Sequence, residues 1–167
     1  SRIYHMNDLI VNTQRIINEL KSGRAVIITD NNSSLLVSAT ENISDDLYDF
    51  FVKHDGQVTL SKNRVNFIKQ ENNCDAISLK LDKKLKNHLF ALIGEKNYDK
   101  ALISEAEEAT NLQKKALELL SFAELIPSCI STEKFSVNKN YLHIDITQID
   151  NYDYDYSEHL KAVCKAP

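Results

Sequence analysis

The sequence predicts an α+β (mixed α/β) fold: a three-layer domain with a mixed twisted sheet covered by helices. Short apolar runs of strand type recur along the chain, among them AVIIT (25–29), LLVSA (35–39) and AISLKL (76–81). Segments with apolar residues at helical spacing stand between and around them. Only the runs at 25–29 and 35–39 are separated by a tight loop, so strands and helices alternate irregularly, as they do when helices pack on a mixed sheet. A chain of 167 residues has the length of one domain, and 43% hydrophobic residues suffice for one sizeable core.

The first helix is predicted over 7–22, because Ile10, Thr13, Ile17 and Leu20 share one face. Asn7 or Asp8 caps its start, and Gly23 takes the left-handed conformation that ends it. Two strands follow, joined by the turn formers Asp30-Asn31-Asn32-Ser33-Ser34. Ser44 caps a second helix with Asp45 and Asp46 in its first turn; Leu47, Phe50 and Phe51 are its inner face and Gly56 its end. QVTL (57–60) is a strand, a polar stretch runs to Asn73, and AISLKL alternates with period two. Asp82 opens a short helix carrying Leu85, Leu89 and Leu92, closed by Gly94.

A long helix is expected over 104–125, with Ser104 and Glu107 as a capping box and a stripe of Ala109, Leu112, Ala116, Leu120 and Ala123. Pro127 stops it, SCI (128–130) and YLHID (141–145) are strands, and ITQID starts a short turn of helix. Ile27, Ile28, Leu36, Val37, Val58, Leu79 and Ile144 are the expected sheet core. Over 151–167 the alternation of Tyr152, Tyr154 and Tyr156 with aspartate reads as an extended connector toward a following domain, one edge aromatic and the other acidic.

Twenty basic against twenty-four acidic residues give a net charge of −4, which argues against a general nucleic-acid binder. No apolar run reaches the ~18–20 residues that span a bilayer, and SRIYHM lacks a signal pattern, so no membrane and a cytoplasmic location are expected. Cys74, Cys129 and Cys164 have neither zinc nor CxxC spacing and read as reduced thiols. Sixteen lysines against four arginines, with sixteen asparagines and sixteen isoleucines, suggest an AT-rich bacterial genome.

Three glycines cannot build a phosphate loop, and neither GxSxG nor HExxH occurs. His5, His54, His88, His143 and His159 are far apart in sequence. Asp30, at the end of the first strand, and His54, near the end of the second helix, are the pocket candidates. The plainer reading makes them a turn aspartate and a histidine favourable at a helix C-terminus. Lys80, Lys83, Lys84 and Lys86 form a basic cluster without interleaved aromatics, which reads as a solvated face. Glu105, Glu107 and Glu108 read as acidic residues of a helix's first turn rather than a metal cluster.

In pattern and order the chain resembles 3,4-dihydroxy-2-butanone 4-phosphate synthase, the ribulose-5-phosphate-consuming enzyme of riboflavin biosynthesis. The residues that carry the likeness are GRAVIITD (23–30), LLVSAT (35–40), ISDDLYDFFVKHDGQVTL (43–60), LQKKALELLSFAELIPSCI (112–130) and YLHIDITQI (141–149). The resemblance implies a domain over 1–150, a homodimer, and magnesium held by a glutamate in the first loop and a histidine of a Gly-His-Thr-Glu motif. This chain departs at each metal position. The first loop is Asn31-Asn32-Ser33-Ser34 with no carboxylate beyond Asp30, and Asn111-Leu112-Gln113-Lys114 replaces the motif. CDAISLKLDKKLKNHLFALIG (74–94) stands where the family has a glycine- and threonine-rich phosphate-binding stretch.

Magnesium needs hard oxygen ligands, so the resemblance implies a lost metal site and no cofactor, with no catalytic residue and Asp30 and His54 as vestiges of the pocket. The family is fused in many bacteria ahead of GTP cyclohydrolase II, which makes 151–167 a linker toward such a domain. The expectation is a catalytically inactive synthase-like domain with a structural, dimerisation or regulatory role. The alternative is a divergent enzyme or binding module for a small phosphate ester, held by Lys80, Lys83 or Lys114.

Overall fold

The computed structural model describes residues 2–61, 75–89, 105–137 and 140–165, with side chains from residue 7 onward. Helix α1 (Arg2–Lys21) starts earlier than its capping signals suggest and buries Ile10, Thr13, Ile16, Ile17 and Leu20. Gly23 ends it at φ +79, and the Asn42 side-chain amide donates to the carbonyls of Leu20 and Lys21 at 3.0 Å each. Strands β1 (Val26–Thr29) and β2 (Ser34–Ala39) form the expected antiparallel pair.

In α2 (Asp45–Lys53) the Ser44 hydroxyl accepts from Leu47 N–H at 3.2 Å. Its buried side chains are Tyr48 and Phe51, whereas Leu47 and Phe50 are only partly buried. Tyr48 belongs inside because its hydroxyl donates to the Asp82 carbonyl at 2.8 Å. Strands β3 (Gln57–Ser61) and β4 (Ala76–Lys80) pair antiparallel. The Asp82 carboxylate accepts from Leu85 N–H at 2.7 Å and opens a 3₁₀ turn, Leu85–His88. Leu92, Gly94 and Cys74 lie outside the described residues.

The long helix expected over 104–125 is shorter. Glu107–Glu108 is strand β5, paired with Ser78 and Ile77 of β4, and the helix α3 is Asn111–Phe122. The box that starts it is Thr110 with Gln113, not Ser104 with Glu107. Glu105, Glu107 and Glu108 therefore precede the helix rather than occupying its first turn.

Strands β6 (Ser128–Thr132) and β7 (His143–Asp145) precede the last helix, α4 (Ile146–Lys165). Residues 151–165 are thus helical, which corrects the extended form expected of them. Asp145, just before the helix, accepts from Thr147 N–H at 2.9 Å. Ile149, Tyr152, Tyr156, Leu160 and Val163 recur at 3-4-4-3 spacing, a helical stripe that the local Tyr-Asp alternation conceals. Tyr152 packs on Phe122 of α3 with ring centroids 4.9 Å apart.

The strands form one sheet in the order β5-β4-β3-β6-β2-β1-β7, with β1–β7 parallel and the other pairs antiparallel. Strand alternation divides the core. Val26, Ile28, Leu35 and Val37 point to the layer of α1, α3 and α4, while Ile27, Leu36, Val58 and Leu79 meet α2 and the 3₁₀ turn. Ile27, Ile28, Leu36, Val37, Val58, Leu79 and Ile144 are all buried, as expected.

Two helix ends respond oppositely to substitution. A Cβ at Gly23 would stand 2.8 Å from the Asn42 backbone oxygen at a positive φ, so Gly23→Ala is expected to lose about 1–2 kcal/mol or more in urea unfolding. Glu124, at φ +57 beyond α3, already bears that strain, and Glu124→Gly is expected to gain about 0.5–1 kcal/mol. Burial pushes the Cys129 thiol up to about 12, while Cys164 is exposed. Thiol reagents at pH 8 are therefore expected to label Cys164 at once and Cys129 only on unfolding, read by peptide mass spectrometry.

Candidate functional site

Register places the C-terminal ends of β1, β6 and β4 and the N-terminal ends of β2 and β3 along one rim of the sheet. Asp30 and His54 both lie on this rim, with β2 and β6 between them. Asp30 is held by its own turn: Oδ1 accepts from Asn32 N–H and Ser33 N–H at 2.8 Å each and from Ser33 Oγ at 3.0 Å. Those bonds keep its carboxyl below the usual range. His54 caps α2, with Nδ1 2.8 Å from the Phe50 carbonyl oxygen and its ring stacked on Phe50 at 4.1 Å. Both side chains satisfy local structure.

Beyond His54 on the rim is a cavity of about 500 Å³ lined by Asp55, Gln57, Ser78, Lys80, Glu105 and Glu107. Asp55 pairs with Lys134, which holds its carboxyl below the ordinary range, with smaller help from Lys80 and His54. With Asp55 engaged by Lys134, Glu105 and Glu107 share the wall with Lys80. Such a wall keeps a slight acidic excess, which favours cations over anions.

The cavity borders a buried polar network that the sequence reading missed. Gln113 is 3% exposed. Its Oε1 accepts from Ser78 Oγ at 2.8 Å and from Thr110 N–H at 2.9 Å, while Nε2 donates to Gln57 Oε1 at 2.8 Å and Ser131 Oγ at 3.4 Å. Thr59 Oγ1 lies 2.8 Å from Ser78 Oγ and extends the chain. The signal for it was the Thr-x-x-Gln spacing at 110–113, a capping box hidden behind Ser104 and Glu107.

The neighbours of Gln113 are equally committed. Leu112 is 4% exposed and packs in the core with Leu120 and Ile28. Lys114 Nζ sits 3.3 Å from Glu108 Oε1. The lysine cluster does not converge: Lys80 lines the large cavity, Lys83 and Lys84 are exposed, and Lys86 pairs with Asp45 at 3.1 Å. Lys114 lines a different cavity, of about 310 Å³, beside Ser61 and Pro127.

This architecture is the fold of the 3,4-dihydroxy-2-butanone 4-phosphate synthases. The chain is similar to the solved synthase of Candida albicans, with a TM-score of 0.57 and 16% identity over 84% of this chain and 96% of that one. It is also similar to a two-domain 3,4-dihydroxy-2-butanone 4-phosphate synthase from A. baumannii, with a TM-score of 0.50 and 11% identity over 87% of this chain but 53% of that one. No family model and no curated protein sequence matches the chain. No helix among the described residues is long and apolar enough to cross a membrane.

The network makes a direct prediction. Gln113→Leu keeps the bulk but leaves Ser78, Gln57 and the Thr110 N–H short of partners, and is expected to cost about 1–3 kcal/mol in urea unfolding.

Proposed function

We propose that the chain is a catalytically inactive synthase-like domain of a riboflavin biosynthesis protein, with a structural, dimerisation or regulatory role beside a GTP cyclohydrolase II domain. The observation that carries this reading is the state of residues 111–114. Where the resemblance places a magnesium-binding histidine, Leu112 is buried in the core. Where it places a glutamate, Lys114 brings an ammonium paired with Glu108. In the first loop, Oδ1 of Asp30 is occupied by its own turn. A divalent magnesium ion asks for hard oxygen ligands in near-octahedral array. These residues do not fit it, and no catalytic step follows from them.

The two-domain synthase, 53% of which this chain spans, supports a polypeptide in which a domain of this fold sits beside another. The identity of that partner as GTP cyclohydrolase II rests on the resemblance, with residues 151–167 as the link. The phosphate-ester alternative is disfavoured by the wall of the large cavity, where Asp55, Glu105 and Glu107 outnumber Lys80 and the Lys134 that pairs with Asp55.

Incubation with ribulose 5-phosphate and magnesium is expected to yield no dihydroxybutanone phosphate, and neither magnesium nor ribose 5-phosphate is expected to raise the melting temperature. A ligand at 100 times its Kd would add ~2.7 kcal/mol of stability. Magnesium-dependent turnover overturns the inactive reading, and stabilisation by ribose 5-phosphate revives the phosphate-ester alternative.

A further inference from the structure

We propose that the large cavity on the rim binds a free amino acid with a cationic side chain of about lysine's length, its carboxylate held by Lys80 and Gln57 and its two ammonium groups by Glu105 and Glu107. The proposal goes beyond the inactive reading, which rests on Asp30, Leu112 and Lys114, and none of these three lines the cavity.

Strand register gathers the polar groups on one face. Ser78 turns toward α3, where its hydroxyl donates to Gln113 Oε1 at 2.8 Å. Glu107 stands opposite Ser78 and Gln57 opposite Lys80, and Lys80 is two residues beyond Ser78, so the four share that face. Ser78 and Lys80 are separated by about 7 Å along β4, a distance that an extended lysine spans from its carboxyl to its side-chain nitrogen. The cavity over them, of about 500 Å³, has the volume of a small-molecule site.

Hydrogen-bond direction fixes what the wall offers. The Thr110 N–H can only donate, so Gln113 turns Oε1 to it and Nε2 to Gln57. Gln57 then accepts through Oε1, which leaves its own amide NH₂ without a partner among the described residues. Asp55 is already paired with Lys134. No ion pair joins Lys80, Glu105 or Glu107 to another side chain among the described residues. The wall therefore presents one cation with a neutral donor beside it, and two carboxylates. Its complement carries one anionic and two cationic groups, as lysine does. A phosphate dianion would meet a single free cation and two carboxylates of its own sign. A diamine would leave Lys80 and Gln57 without an acceptor.

Isothermal titration calorimetry of the full chain with L-lysine tests the site. Saturable one-to-one binding is expected. Norleucine, which lacks the side-chain ammonium, and cadaverine, which lacks the carboxylate, are each expected to bind about tenfold or more weakly. Glu107→Gln and Lys80→Met are expected to weaken L-lysine by a similar factor with the melting temperature unchanged, since both side chains are exposed. In Lys80→Met the preference for L-lysine over cadaverine is expected to vanish, which a folding defect would not mimic. No saturable binding at millimolar L-lysine, cadaverine binding as tightly as L-lysine, or binding indifferent to both substitutions overturns the proposal. Tighter binding of ribose 5-phosphate overturns it in favour of the phosphate-ester alternative. Magnesium-dependent turnover overturns the inactive reading by a separate measurement, so the two failures are distinguishable.

Discussion

The amide of Gln113 lies between α3 and a strip of sheet built from Gln57, Thr59, Ser78 and Ser131, where a helix ordinarily meets aliphatic side chains. Buried hydroxyls and amides are costly unless partnered, and partnered ones bind in few geometries. The helix can therefore seat in one register: one residue along, Gln113 would leave the strip and its groups would lose their partners. The same side chain closes the capping box with Thr110. Start of helix and position on sheet are fixed together, and the apolar stripe of Leu112, Ala116, Leu119 and Leu120 then falls onto β1, β2 and β6.

That seating also decides what residues 111–114 offer to the rim. With Gln113 turned onto the sheet, Leu112 lies against the core and Lys114 toward β5. The helix start is anchored by neutral hydrogen bonds. Three of the rim's polar groups have an internal duty: Asp30 shapes a hairpin, His54 closes a helix and Asp55 binds Lys134.

Most of the strands were legible because their apolar runs are short and bounded by turn formers. Ile27 with Ile28 and Leu36 with Val37 show why: adjacent apolar residues on a strand feed both faces, as a central strand in a three-layer fold requires. The helix boundaries were less legible. Ser104 with Glu107 and Thr110 with Gln113 are equally good capping signals in one dimension, and only the pairing of Glu107–Glu108 with β4 separates them. In α4, alternation over 152–156 masked a stripe whose members are three and four residues apart. The Gln113 network was out of reach because its partners come from β3, β4 and β6, up to 56 residues away in sequence.

The two ends of the sheet, among the described residues, are unusually short. At one end stands β5, two residues long and made of Glu107 and Glu108; at the other stands β7, the three residues His143, Ile144 and Asp145. A foreign strand adding to either would find few free backbone groups and, at β5, a row of like charges. Among the described residues, the sheet therefore ends in strands too short, and at β5 too acidic, to template strand-by-strand growth into fibres.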